Sequence, residues 1–165
     1  MPTLTLAEIK DACAQVVDRA ERYQPLQWIA FHTLQRTGCR EGEVCDLTRW
    51  TLTNIGTYAL RTEKGGGIRT FEAVDLPVQF REWIAGRKNG RAPTSVDRLR
   101  SAFRQMCPWS DLSSGRKGIS THLYRYAFIR QLAADKVPIE DIQRIMALAS
   151  RRVVQGYIDN PVIGE

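Results

Sequence analysis

Apolar residues fall into helical spacing at both ends of the chain and give way to strand-like composition in the middle. Thr5-Leu6-Ala7-Glu8 has the form of a capping box, and Ile9, Ala12, Cys13, Val16 and Val17 then recur every three to four positions. This spacing predicts a first helix over residues 6–20. A second helix starts at Pro25, which is tolerated at a first helical position, carries Leu26, Ile29, Ala30 and Leu34, and stops at Gly38. A short helix over 41–47 turns Val44 and Leu47 inward. From there to Pro77, Thr, Trp, Tyr, Ile and Val become frequent, predicting strands near 50–54, 57–62 and 68–75. The last two are joined by Glu63-Lys64-Gly65-Gly66-Gly67, whose glycines suit the positive φ of a hairpin turn, so Lys64 sits where strand becomes turn.

Beyond Pro77 the helical period returns with Phe80, Trp83 and Ile84, followed by a basic, glycine-containing loop from Gly86 to Pro93. Thr94 or Ser95 caps the next helix, whose stripe is Val96, Leu99, Phe103 and Met106, and the polar run Ser110 to Gly118 reads as a surface loop. Ser120 caps a helix carrying His122 and Arg125. Tyr124, Ala127 and Phe128 lie roughly opposite His122, a pattern expected to turn His122 and Arg125 away from the apolar interior. Pro138 opens a further helix with Ile139, Ile142 and Met146 inward. Ala147 to Ser150 interrupts it, and Arg151 to Tyr157 resumes as a short amphipathic piece. The order predicts an α+β fold, mostly helical, with a small three-stranded antiparallel sheet on one flank.

A chain of 165 residues with 43% hydrophobic content supports one domain with a proper core. The net charge of +6 and pI near 9.4 favour a polyanionic partner without establishing one. Four cysteines without C-x-x-C spacing and two histidines argue against structural zinc. No signal-peptide pattern and no apolar run near the roughly 18 residues of a membrane span occur, so the expectation is a soluble, intracellular chain with reduced thiols.

Residues three apart on a helix share a face, so His122 and Arg125 can reach one anionic group. Guanidinium binds phosphate oxygens bidentately and keeps its charge at physiological pH, which makes Arg40 and Arg125 candidates for a phosphate clamp. These residues form a pattern: Arg40 in Thr37-Gly38-Cys39-Arg40-Glu41-Gly42-Glu43, then His122-Leu123-Tyr124-Arg125, then Tyr157 in Gln155-Gly156-Tyr157. In order and spacing, over nearly the whole chain, it resembles the active site of the tyrosine recombinases, the phage-integrase family.

The resemblance implies a catalytic domain over residues 1–165 that breaks and rejoins duplex DNA site-specifically through a 3′-phosphotyrosyl intermediate, without metal or other cofactor. Tyr157 would be the nucleophile, Arg40 and Arg125 the clamp, His122 the base or hydrogen-bond donor, and Lys64 the general acid for the leaving 5′ oxygen. Glu43 would orient the cationic groups. One position departs from the family: nine residues before the tyrosine, where a His or Trp usually donates to the phosphate, this chain has Leu148. Leucine cannot donate, so either the donor is dispensable, the Ser150 hydroxyl substitutes, or cleavage is weak.

Arg87, Lys88, Arg91, Arg98, Arg100, Arg104, Arg116 and Lys117 are candidates for contact with the DNA backbone. Duplex DNA is the expected partner, together with further recombinase subunits on it, and no membrane. The helical DNA-clamping domain that usually precedes the catalytic domain is expected to be missing. Two alternatives stay open: a DNA-binding protein of the same fold that does not cleave, and strand relaxation of the type IB topoisomerase kind. His32 is assigned no role.

Overall fold

The computed structural model describes residues 4–64, 67–86, 90–108 and 120–160. Thr5 caps the first helix, its hydroxyl accepting from the Glu8 amide at 3.1 Å, and α1 runs Leu6–Tyr23. It continues past the expected residue 20 because nothing breaks it before Gln24, which is held extended (ψ 76°) ahead of Pro25, as a residue preceding proline prefers. α2 is Pro25–Thr37 and ends on Gly38, whose φ of 66° is the left-handed conformation of a helix C-terminus. α3 is the short Glu41–Cys45.

Three antiparallel strands follow in the order β1 (Trp50–Leu52), β2 (Tyr58–Arg61) and β3 (Ile68–Phe71), in register at Trp50 with Leu60 and at Tyr58 with Phe71. β1 and β3 start where expected but end early, and β2 is one residue shorter at each end. β3 stops at Phe71 because Glu72 opens a 3₁₀ turn over Ala73–Asp75, its amide donating to Asp75 Oδ2 at 2.9 Å. Among the described residues the further helices are α4 (Val78–Gly86), α5 (Val96–Met106), α6 (Leu123–Ala134), α7 (Ile139–Ile145) and α8 (Arg151–Asp159). Among the described residues no helix is long and apolar enough to cross a membrane.

The larger apolar cluster joins α1, α2, α5, the inner face of the sheet and the start of α6. Its aromatic centre is Phe31, Phe103 and Tyr124, with ring centroids 6.0–6.3 Å apart. Trp50 links sheet to helices, its ring 4.9 Å from Phe80 and its indole N–H donating to the Glu43 carbonyl at 2.8 Å. A smaller cluster, Ile129, Ile142, Met146, Leu148 and Val154, is built by α6, α7 and α8. Because α6 packs against α1 and α2 on one side and against α7 and α8 on the other, it has little outward face.

Two expectations change as a result. Arg125 does not face away from the interior: it is 1% exposed, held between elements that cover α6 from both sides. Leu148, expected beside the phosphate, is buried in the smaller apolar cluster, the favourable place for a side chain that cannot hydrogen-bond.

Leu148→Ala should therefore cost about 2–5 kcal/mol of stability, the usual range for truncating a buried leucine. Thermal or urea unfolding reads this directly, and an unchanged midpoint would put Leu148 outside the core.

Candidate functional site

Gly38 is where the site begins. Its positive φ turns the chain sharply out of α2, and an added Cβ would lie 2.7 Å from Phe128 Cγ, so the turn is pressed against α6. In that position the Gly38 carbonyl accepts from Arg125 Nη1 at 2.9 Å. Arg40 follows as the residue capping α3.

Beneath it lies Glu43, with no exposed surface. One carboxylate oxygen accepts from the Arg40 amide at 2.7 Å; the other accepts from the Glu63 amide at 2.9 Å and stands 3.5 Å from Arg40 Nη1. A single buried carboxylate thus fixes Arg40 and the turn that carries Lys64. Lys64 itself, at φ 42°, occupies that turn with its side chain exposed.

His122 precedes the first turn of α6, its amide donating to Ser120 Oγ at 3.2 Å. The helix thus starts two residues later than a Ser120 cap implies, yet His122 and Arg125 still share a face. Tyr157 reaches them from α8, which Ser150 caps by accepting from the Val153 amide at 3.3 Å.

The tyrosine hydroxyl oxygen accepts from Arg125 Nε at 3.0 Å and lies 3.1 Å from His122 Nε2. Arg125 Nη2 is buried and has no hydrogen-bond partner among the described residues. Tyr126 closes one side of the group, its ring 5.0 Å from that of Tyr157 and 5.3 Å from that of His122, edge to face in both cases. Burial first, and then the cations Arg125, Arg40 and Lys64, hold the His122 pKa down from 6.5 to about 4, so the imidazole is neutral at physiological pH.

A cavity of about 470 Å³ opens beside His122, which lines it with Arg40, Lys64, Arg100, Glu41 and Glu63. The five expected reactive side chains therefore lie near one another: three line the cavity, and Arg125 and Tyr157, which do not, join His122 through the tyrosine hydroxyl. The expected backbone contacts divide differently. Arg100, at the rim, is committed to an ion pair with Glu41 at 2.6 Å, which Thr121 also reaches.

Arg91 and Arg98 border an adjoining groove of about 780 Å³ that shares Gly42 and Val96 with the cavity, and Arg104 is exposed on α5. Arg87, Lys88, Arg116 and Lys117 lie outside the described residues. The Ser150 oxygen accepts at the cap of α8, so that hydroxyl already has a structural task.

Sequence reasoning passed over Tyr126 and Arg69. Tyr126 carries no spacing signal. Arg69 does carry one, since strand alternation puts it on the same, inward face as Phe71, where a charge is out of place.

No protein-family model and no curated protein matches the sequence. Solved structures do match. The XerH site-specific recombinase in its pre-cleavage complex with the difH substrate is similar with a TM-score of 0.64 and 19% identity, over 95% of this chain and 50% of that one. XerA recombinase gives 0.63 and 18%, over 96% and 59%. A lambda integrase dimer bound to a COC′ core site gives 0.62 and 18%, over 96% and 59%. This chain thus spans between half and three fifths of those solved chains, and its fold is that of the tyrosine recombinase catalytic domain.

Because the folded His122 pKa lies below its ordinary value, the unfolded state binds more protons between about pH 6.5 and 4. Stability should be fully present above that window and fall as pH drops through it. His32 is lowered too, so the difference between the parent and His122→Gln in urea unfolding at several pH values isolates His122. The variant should show a shallower loss; identical slopes would mean that His122 is not buried as described.

Proposed function

We propose that this chain, with the fold of a tyrosine recombinase catalytic domain, cleaves and rejoins duplex DNA through a 3′-phosphotyrosyl intermediate. The observation that carries this reading is the Tyr157 hydroxyl, brought by α8 to lie between Arg125 Nε and His122 Nε2, which stand three residues apart at the start of α6. A surface tyrosine has no reason to meet a buried guanidinium and a neutral imidazole at once. The solved structures with the same fold include recombinases in complex with difH and core-site DNA, which supports the same assignment.

The chemistry follows from the bonds present. With Nδ1 carrying the ring proton, His122 Nε2 accepts from the phenol O–H while Arg125 Nε donates to the same oxygen, so both contacts favour loss of the phenol proton. The phenol oxygen attacks the phosphorus, forming the phosphotyrosyl bond, and its proton passes to His122. The bond to the 5′ oxygen breaks, and Lys64, at the mouth of the cavity, supplies the proton to that leaving group. Arg40 and the unpartnered Arg125 Nη2 meet the negative charge that develops on the non-bridging oxygens. Glu43 holds Arg40 in place against its neighbours. Rejoining reverses each transfer.

Tyr157 and Arg125 belong to one chain, so the nucleophile is delivered to its own clamp. A nicked suicide duplex should trap a covalent protein–DNA adduct with the parent and none with Tyr157→Phe, whose ring packing is kept. Mixing Tyr157→Phe with Arg125→Ala should restore nothing; recovered adduct would mean that the tyrosine crosses between subunits.

Arg40→Ala and Arg125→Ala should lower cleavage by roughly 10²–10³-fold, the cost of a lost transition-state donor, with a much smaller change in duplex affinity. Equal losses in both would reduce the arginines to backbone contacts. Duplex affinity itself should fall by orders of magnitude between about 50 and 200 mM salt, as several phosphate contacts require.

A further inference from the structure

Arg69 is a buried cation that the reaction described above does not use. It projects inward from β3, is 3% exposed, and has no salt-bridged carboxylate among the described residues. A guanidinium withdrawn from water is tolerated only where its donors find acceptors.

Two of its acceptors are of one kind. Arg69 Nη2 donates to the Thr37 carbonyl at 2.6 Å and Nε to the Ile145 carbonyl at 2.9 Å, and Thr37 and Ile145 are the last residues of α2 and α7. The carbonyls of a helix's last turn have no partner within the helix and carry its negative end. Nη1 lies 3.6 Å from Cys39 Sγ, and the guanidinium sits over the rings of Phe71 at 4.8 Å and Phe128 at 5.9 Å. One flat cation therefore plugs two helix ends and is caged by two aromatic faces.

Both helix ends lead directly into the site. After Thr37 come Gly38, whose carbonyl holds Arg125, and Arg40. After Ile145 come Met146, Ala147 at φ 51° and Leu148, and then the helix that carries Tyr157. The strand bearing Arg69 is itself one arm of the Lys64 hairpin.

A second contact binds the same parts. A Cβ on Gly67, at the base of β3, would fall 2.8 Å from Ala147 Cβ, so the hairpin and the turn before α8 mesh without spare room.

We propose, on the reading of Tyr157 as nucleophile and Arg125 as clamp, that Arg69 is a positioning residue. By tying the ends of α2 and α7 to the Lys64 hairpin, it sets where the tyrosine meets the phosphate-binding arginines. It touches neither DNA nor the reacting atoms. Its donors fix the relative placement of the clamp, the general acid and the nucleophile, and a misplacement near 1 Å is enough to cost about 10² in rate.

The test uses Arg69→Met, which fills similar space without donors, and Arg69→Lys, which keeps the charge but cannot span both carbonyls. A third variant, Gly67→Ala, leaves Arg69 intact and wedges the hairpin from the same turn. Each is measured at a temperature where thermal melts show it fully folded.

The first readout needs no activity: the His122 NMR resonance, assigned against His32, is titrated in free protein. Arg69→Met and Gly67→Ala should raise its pKa from about 4 toward 6.5 as the tyrosine segment withdraws and water enters, with Arg69→Lys intermediate. The second is single-turnover adduct formation on the suicide duplex, expected to fall about 10²-fold for Arg69→Met while duplex affinity stays within about twofold.

A lowered melting temperature with unchanged titration and unchanged rate would overturn the proposal and leave Arg69 a plain structural tie. Equal losses in affinity and rate would overturn it too. A parent that forms no adduct, with the His122 shift still seen in the variants, would uphold the positioning role and remove the cleavage reading instead.

Discussion

The buried guanidinium of Arg125 is the constraint around which the site is organised. A charge in that position carries a desolvation cost of several kcal/mol unless hydrogen bonds replace water. The chain supplies two of them from distant places: the Gly38 carbonyl, exposed by the left-handed turn that ends α2, and the Tyr157 hydroxyl, brought by the last helix. Each supplier is fixed by packing of its own. Gly38 presses on Phe128, and Tyr157 sits on the edge of the apolar cluster formed by Ile129, Ile142, Met146, Leu148 and Val154. The third nitrogen, Nη2, has no hydrogen-bond partner among the described residues.

Cations outnumber acids around this point. Arg40, Lys64, Arg69 and Arg125 outnumber the acids nearby: Glu41 is paired with Arg100, Glu63 lines the cavity, and Glu43, the one fully buried carboxylate among the described residues, is spent on the Arg40 and Glu63 amides. His122 registers these surroundings: burial first, and then the nearby cations, disfavour its protonated form. The small sheet matters here out of proportion to its size. It delivers Lys64 by its turn, Arg69 by its inner face and Trp50 by its edge, the last bonded to the backbone of Glu43.

Burial of Leu148 alters how its departure from the family pattern should be understood. The side chain belongs to the apolar cluster against which Tyr157 packs.

The sequence by itself determined the element order and the α+β class, because periodicity and caps are local, and through the resemblance it singled out Arg40, Lys64, His122, Arg125 and Tyr157 as residues to be found together. Glycines and prolines placed the turns, and the order of the motifs carried the resemblance. It could not determine which face of α6 is covered. That depends on α7 and α8 folding back over a helix whose other side is already occupied, and so the expectation for Arg125 was reversed. Nor could it assign Arg69, whose acceptors are helix-end carbonyls contributed by residues 32 and 76 positions away. A backbone carbonyl has no residue type to betray it. Which carbonyls are left over, and which side chain reaches them, is decided only when the helices end side by side.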